Sequence, residues 1–299
     1  MQNKISKYKK SKIILYDLYI RDSNSYIKNN YSEIMMKKIN EETIKENWDN
    51  IWKNHNNKTF SFLEKIFFGL FKTQFSSKSV YNFLCKFINE KTESSIECGC
   101  GSGLIQKKLM EKYNLNGTFL DISEEALIFT KRNISKLNLL KKSEFVQGSI
   151  LSIPLPDERY DIVWNSGVLE HFEVEDQRKA ISEMFRITKK GGKVIILIPS
   201  THGNIYLRMK EKAEKNNTWQ AGYELPLATM MHLLPDEIDA SNCKEYKFGY
   251  ITQLHFLKYM FKSKLLVNLS IPFIEIVQRV LFFLENRPGY FLALVIEKK

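Results

Sequence analysis

The chain has 299 residues, of which 43% are hydrophobic and 26% charged, an ordinary composition for a globular protein. Its formal net charge of +11 would let the surface attract nucleic acid, anionic lipid or acidic substrates. The lysines are scattered and no nucleic-acid-binding module is recognisable, so we expect no specific nucleic-acid partner.

Cysteine usage and the N-terminal residues bear on the compartment. The four cysteines include no C-x-x-C pair, which argues against a structural zinc site and favours a reducing compartment, the cytoplasm. Asp17 and Arg21 interrupt the apolar residues near the N-terminus, so no signal peptide is predicted. The cysteines are Cys85, Cys98, Cys100 and Cys243.

Residues 1–91 are predicted to form a helical N-terminal region. Apolar residues recur at helical spacing from Ser32 to Trp52 and again from Ser79 to Ile88. Ser61 and Glu64 form a capping box ahead of an apolar run. The many aromatic side chains of this region either pack as core against the next domain or form a cap over a substrate pocket.

A glycine-rich stretch from Ser95 to Gly103 is predicted to be a short strand, a tight turn and the start of a helix capped by Ser102. The dinucleotide fingerprint G-x-G-x-x-G does not fit, because Leu104 and Gln106 stand where its third glycine would fall. The pattern is instead acid-x-G-x-G-x-G, with Glu97 at the end of the strand. A carboxylate there suits a ligand with a positive group better than a pyrophosphate.

Strands and helices alternate after residue 92, which predicts a βαβ architecture. The second strand ends at Asp121, and a helix follows from Ser123 with acidic residues in its first turn. In this topology an acid about 20 residues beyond the glycine turn is typical of ribose binding. Further predicted strands cover residues 144–147, 160–164, 193–198, 246–251 and 289–297.

Residues 92–200 resemble the class I S-adenosylmethionine-dependent methyltransferases, and Ser95 to Gly103 is similar to their motif I. The resemblance implies an α/β fold, a Rossmann-like seven-stranded and mostly parallel sheet with helices on both faces, here preceded by an N-terminal helical cap. Asn47 to Trp52 is similar to a segment of such caps. The methyltransferase domain would cover 92–299, with an apolar helical insertion at about 253–286 before an antiparallel last strand.

The resemblance also implies the site of the methyl donor, S-adenosylmethionine. Glu97 and the turn would hold its methionyl part, Asp121 its ribose, and Asn165 would lie beside it. The family commonly has an acid near its adenine where this chain has Ser149, so adenine contact would rest on the backbone there. The residues assigned to the donor are Glu97, Cys98, Gly99, Gly101, Gly103, Asp121, Ile122, Ser149, Ile150 and Asn165.

His171 is the candidate catalytic base, because the pKa of a free imidazole suits proton transfer near neutral pH. The alternative is a structural residue at a helix start. Glu170 and His171 resemble part of a metal site of quinone O-methyltransferases. Those enzymes have an acid three residues earlier, where this chain has Gly167, so no metal is predicted.

The predicted function is in-line methyl transfer from S-adenosylmethionine to oxygen or nitrogen of a small or lipid-like acceptor. The rival functions are a dinucleotide-dependent oxidoreductase, which the turn disfavours, a non-catalytic binding protein with this fold, and an RNA or protein methyltransferase. The apolar segment Leu265–Leu284 contains too many polar residues to span a membrane. It is an amphipathic surface helix in peripheral contact with a membrane, a lid for an apolar substrate, or core; the sequence does not indicate the oligomeric state.

Overall fold

The computed structural model describes residues 41–56, 75–135, 139–219, 221–222 and 224–299. The predicted capping box at Ser61 and Glu64 lies outside these residues, as does the first part of the helix predicted from Ser32. Seven longer helices occur within the described residues: α1 (Glu41–Asn56), α2 (Phe75–Leu84), α3 (Leu104–Tyr113), α4 (Glu124–Ser135), α5 (Val174–Ile187), α6 (Asn204–Lys215) and α7 (Lys264–Val280).

A seven-stranded sheet forms the centre of the described chain, in the order β3-β2-β1-β4-β5-β7-β6. All pairs from β3 to β5 are parallel, whereas β7 runs antiparallel to both β5 and β6. The predicted Rossmann-like, mostly parallel sheet is therefore confirmed. Its strands are β1 (Ser94–Cys98), β2 (Asn116–Asp121), β3 (Ser143–Gln147), β4 (Tyr160–Ser166), β5 (Thr188–Pro199), β6 (Cys243–Gly249) and β7 (Pro288–Glu297).

Both faces of the sheet are covered by helices, which explains the continuous apolar run 194–198 within β5. Along β5 the side chains alternate between two cores, with Ile196 in one and Ile195 in the other. The first core includes Met184 of α5, and the second includes Leu109 of α3 and Leu127 of α4. The predicted helices on both faces are thus confirmed.

The start of α3 differs from the prediction that Ser102 caps it. The N-cap residue is Gly103, in the left-handed region at φ 63°, and no side chain makes a capping hydrogen bond. Three glycines in alternation let the backbone turn so tightly that Ser102 comes one residue too early to act as the cap. The helix predicted from Ser123 is present as α4, and the Oγ of Ser123 accepts a hydrogen bond from the N–H of Ala126 at 3.3 Å.

Gln106 stands where a dinucleotide fingerprint would have its third glycine, and the structure shows its role. Its side chain is fully buried between β1 and β4. Its Nε2 donates to the carbonyl oxygen of Ser95 at 3.0 Å and to that residue's Oγ at 2.7 Å. Its Oε1 accepts from Nε1 of the buried Trp164 at 2.9 Å. Gln106 therefore satisfies polar groups of two neighbouring strands from one helix.

Replacing Gln106 with Leu should destabilise the fold, because the Trp164 indole N–H and the Ser95 oxygens would lose their partners in the core. We expect the free energy of unfolding in urea to fall by about 2 kcal/mol. Glu111→Ala, on the exposed part of the same helix, is the control and should stay within about 0.5 kcal/mol of wild type. Equal stability of Gln106→Leu and wild type would contradict this role.

Candidate active site

The glycine turn after β1 is left-handed at three positions. Gly99, Gly101 and Gly103 have φ values of 76°, 50° and 63°. A Cβ at Gly99 would lie 2.5 Å from Val168 Cγ2, and one at Gly103 would lie 2.5 Å from Thr130 Cγ2. These two glycines are therefore required by packing within the protein as well as by their backbone angles.

Glu97 brings a carboxylate into the site from the end of β1. The side chain is buried, and its Oε2 has no hydrogen-bond partner within the described chain. Burial raises the pKa of this carboxyl well above its usual value, and the nearby Asp121 raises it further. A buried acceptor without a partner is costly, so the site suits a ligand that donates hydrogen bonds or carries positive charge.

Asp121 connects the glycine turn to the next helix. Its Oδ2 accepts the backbone N–H of Gly101 at 2.8 Å, and its Oδ1 accepts the N–H of Ser123 at 2.9 Å. Burial raises the pKa of Asp121, and the hydrogen bond from Gly101 acts against this rise. Each carboxylate oxygen still has acceptor capacity for a ligand hydroxyl.

Helix α1 is held against the end of the sheet by polar and aromatic contacts. Ser123 Oγ donates to Asp49 Oδ1 at 2.6 Å, and Asn56 Nδ2 donates to Glu125 Oε2 at 2.8 Å. The ring of Trp52 lies 5.3 Å from that of Phe129. A Cβ at Gly101 would lie 3.0 Å from Trp52 Cζ2, so the helix reaches the glycine turn itself.

These elements enclose a cavity of about 340 Å³ at the carboxyl ends of the strands, a volume within the usual range of small-molecule sites. The sheet contributes Glu97, the glycine turn and Asp121, and α1 contributes Trp48 and Trp52. Further lining residues had no local sequence signal, because α2 and β7 reach the cavity only through the fold; they are Ser76, Ser77, Val80, Tyr290 and Phe291.

Six of the ten predicted donor residues line this cavity, and four do not. Cys98 lies with Ile96 in the α5-side core, and Asn165 is buried with its Nδ2 3.4 Å from Met184 Sδ. In β1 and in β4 the residue next to these lines the cavity instead, namely Glu97 and Ser166, because successive side chains of a strand face opposite ways. The lining residues are Glu97, Gly99, Gly101, Asp121, Ile122 and Ile150, and Ser166 stands on the wall in place of Asn165.

The other two exceptions have local causes. Gly103 lies behind the turn, where its missing Cβ makes room for Thr130. The Oγ of Ser149 accepts the backbone N–H of Leu151 at 2.9 Å and so stabilises the loop after β3. Its neighbours Gly148 and Ile150 form that part of the wall.

His171 also lines the cavity and sits in a short 3-10 helix, Leu169–His171. Its buried ring makes an edge-to-face contact with Trp48 at 5.7 Å. Behind it, one atom each of Glu170, His171 and Glu224 lie within 4.8 Å of one another. Glu224 comes from a distant segment, so the missing acid at Gly167 does not by itself exclude a cation here. The absence of a metal stays a prediction.

The two carboxyls of this cluster are shielded from water. Burial and the like charge of Glu224 raise the pKa of Glu170 well above its usual value. Burial raises the pKa of Glu224 to about 7, although Tyr206, whose hydroxyl donates to it at 2.8 Å, acts against this rise. Both shifts favour the protonated form of these carboxyls.

The order of the sheet, its single antiparallel strand and the carboxylates at the ends of β1 and β2 define a Rossmann-like methyltransferase fold. Residues 96–196 match the family described as "Methyltransferase domain". An uncharacterised protein of Methanocaldococcus jannaschii is 30% identical over 226 residues, which cover 72% of this chain and 83% of that protein. This chain belongs to the class I S-adenosylmethionine-dependent methyltransferases.

Two further comparisons show how far the likeness extends. An uncharacterised protein of Haemophilus influenzae is 28% identical over 120 residues, which cover 39% of this chain and 48% of that protein, so the chain spans about half of its length. A Thermotoga maritima structure described as an S-adenosylmethionine-dependent methyltransferase, possibly acting on histamine nitrogen, has a TM-score of 0.53 and 15% identity. It covers 86% of this chain and 100% of its own, and it shows the shared fold.

The raised pKa of Glu224 predicts a pH-dependent cost to stability. The folded carboxyl keeps its proton up to about pH 7, whereas the unfolded one loses it near pH 4.5, so stability falls as the pH rises between these values. Glu224→Gln removes this cost while leaving an acceptor for Tyr206. The difference in free energy of unfolding between the variant and wild type should therefore grow by about 2 kcal/mol in favour of the variant as the pH rises from 5.5 to 8.

The measurement is the free energy of unfolding of both proteins at the two pH values. Glu173→Gln, which replaces an exposed carboxyl near the same site, is the matched control and should follow wild type. If the free energy of unfolding changes equally between the two pH values in Glu224→Gln and wild type, Glu224 does not titrate in this range in the folded protein.

Proposed function

We propose that the protein is an enzyme that transfers the methyl group of S-adenosylmethionine to oxygen or nitrogen of a small or lipid-like organic acceptor. The observation that carries the proposal is the shared cavity, in which two buried carboxyls, Glu97 and Asp121, and the imidazole of His171 meet a wall that includes aliphatic and aromatic side chains. Apolar walls with a few polar groups are typical of small-molecule sites.

The residues present fit the donor. Glu97 offers a buried carboxylate oxygen without a partner, which suits the ammonium group of a methionyl moiety. Asp121 retains acceptor capacity for ribose hydroxyls beside the N–H groups that it already binds. S-adenosylmethionine would supply a methyl group on a positively charged sulfur; an acceptor lone pair would attack the methyl carbon in line as the carbon–sulfur bond breaks and the neutral thioether leaves.

The chain's own task would be alignment and exclusion of water. Trp48 and Trp52 cover the cavity from α1, while Tyr290 forms part of the wall from β7. An acceptor hydroxyl or ammonium must lose a proton when its oxygen or nitrogen attacks. His171 is the imidazole on the cavity wall and would accept that proton. The four unpaired cysteines are in keeping with a cytoplasmic location.

Donor binding is the first test. We expect S-adenosylhomocysteine to bind with micromolar affinity, about −8 kcal/mol. Asp121→Ala should weaken binding about tenfold or more, because ribose hydroxyls lose a charged acceptor. Glu97→Gln, which keeps the shape of the side chain, should weaken it through the lost charge. Calorimetry on the folded variants provides the affinities.

Asp236→Ala, at an exposed carboxyl outside the cavity, is the control and should bind as wild type. Binding of a nicotinamide dinucleotide, without binding of S-adenosylhomocysteine, would favour a function as a dinucleotide-dependent oxidoreductase. Normal donor affinity in both Asp121→Ala and Glu97→Gln would contradict the donor site.

Catalysis is the second test, made by incubating labelled donor with RNA, with protein and with a lipid-plus-metabolite extract. We expect label in the extract. With the acceptor found there, His171→Ala should lower the rate by about 10²–10⁴ and leave donor affinity unchanged, because a general base contributes about that factor. His202→Ala, at an exposed histidine outside the cavity, is the matched control.

Three outcomes would overturn parts of this proposal. Label found only in RNA or protein would replace the acceptor class, and donor binding without transfer would favour a non-catalytic binding protein. A chelator should leave the rate unchanged, and a loss of activity restored by added magnesium or zinc would show that the Glu170–His171–Glu224 cluster holds a metal.

A further inference from the structure

Helix α7 presents an apolar surface to solvent. We call Leu266, Leu269, Phe273, Ile276, Val280 and Phe283 the apolar face. These residues follow one another at intervals of three and four, so they lie along one side of the helix and its extension, Phe282–Leu284. Their exposed fractions range from 48% for Leu266 to 75% for Phe283. Contiguous apolar surfaces of this kind usually mark an interaction site.

The opposite side of α7 is fixed to the protein by specific contacts. Ile274 is buried, and Gln278 Nε2 donates to the carbonyl oxygens of Ile251 and Thr252 at 3.1 and 3.2 Å. Beyond the helix, Glu285 Oε2 accepts the N–H groups of Ile251 and Thr252, each at 3.0 Å. Because the buried side is already occupied by the core, the apolar face is a surface of the part of the chain that the structure describes.

The charges around the apolar face have one sign. Among the side chains that the structure describes in residues 250–290, every exposed charged group is a cation, namely Lys262, Arg279 and Arg287. The acids of this stretch, Glu275 and Glu285, are buried. The Nη2 of Arg279 lies 3.7 Å from the Oε2 of Glu275, one turn earlier in the helix. A fourth cation, Lys78 of α2, lies 4.7 Å from the ring centre of Phe282.

This charge distribution selects among the partners of an apolar helix. A second copy of the chain would have to pair the same face with itself, since a twofold interface is self-complementary, and would bring cations towards cations. An anionic lipid surface instead offers acyl chains to the apolar face and negative headgroups to the rim. In the part of the chain that the structure describes, no helix is long and apolar enough to cross a bilayer.

We propose that the apolar face docks on anionic membranes, with α7 lying in the plane of the interface. Helix α2 connects this surface to the cavity. Phe75 of α2 contacts Phe282 at a ring distance of 5.7 Å, and Ser79 Oγ lies 3.1 Å from Thr252 Oγ1. Ser76, Ser77 and Val80 of the same helix line the cavity. Docking would therefore bring the cavity wall next to the bilayer surface. The docking proposal does not depend on the proposed methyl transfer.

Flotation of the full chain with vesicles tests the proposal. Vesicles of phosphatidylcholine with about one third phosphatidylglycerol should bind at least about tenfold more protein than pure phosphatidylcholine, and salt should weaken this binding. The double variant Leu269→Glu, Phe273→Glu should lose binding to anionic vesicles by about tenfold or more, since it places two anions on the apolar face. Both positions are exposed, so the fold should be retained, as circular dichroism would check.

The control is Leu140→Glu, which places an anion at another exposed apolar side chain, 42% exposed, before β3 and outside the apolar face. It should bind vesicles nearly as wild type does. Arg279→Glu with Arg287→Glu should remove the preference for anionic over neutral vesicles.

Three results would overturn the proposal. The first is the absence of vesicle binding by wild type, and the second is binding that the apolar-face variant leaves unchanged. The third is a dimer in analytical ultracentrifugation that the same variant dissociates, without vesicle binding, which would assign the face to a second copy. Calorimetry with S-adenosylhomocysteine on these proteins reports separately on the donor site. A failure of donor binding can therefore be distinguished from a failure of membrane docking.

Discussion

The carboxylate of Asp121 is the point on which the arrangement of the site depends. One of its oxygens holds the N–H of Gly101 in the glycine turn, and the other holds the N–H of Ser123 before α4. Ser123 in turn donates to Asp49 of α1. A single short chain of hydrogen bonds therefore connects the turn, the second strand and the covering helix. Burial of these groups strengthens the bonds and makes the loss of any partner costly.

The features that could be predicted from sequence are those with a local physical cause. The turn around Gly99 and Gly101 could be predicted because only glycine adopts those angles readily, and the acid at Asp121 because strand two ends there. The order of strands and helices followed from the change between twofold and helical periodicity. The resemblance to methyltransferases then supplied the position of β7, which no local pattern reveals.

The residues that were missed depend on side-chain direction or on distant chain segments. Asn165 was assigned to the donor but faces Met184, because a shift of one residue along a strand reverses the side chain and puts Ser166 on the wall. Glu224 and Tyr290 approach the site from remote segments, and their neighbours in sequence carry no motif. The cap at Ser102 failed because left-handed glycines delayed the start of α3.

The position of β7 has a consequence for how the chain folds during synthesis. Within the described residues β6 pairs with no strand except β7, which is made later than β6 and the whole of α7. Synthesis proceeds at about 5–20 residues per second. For several seconds, therefore, β6 has no neighbour and the edge of β5 is open on the ribosome. Until β7 inserts between the two strands, the open edge of β5 could pair with a strand of another chain. Chaperones would have to shield that edge during this time.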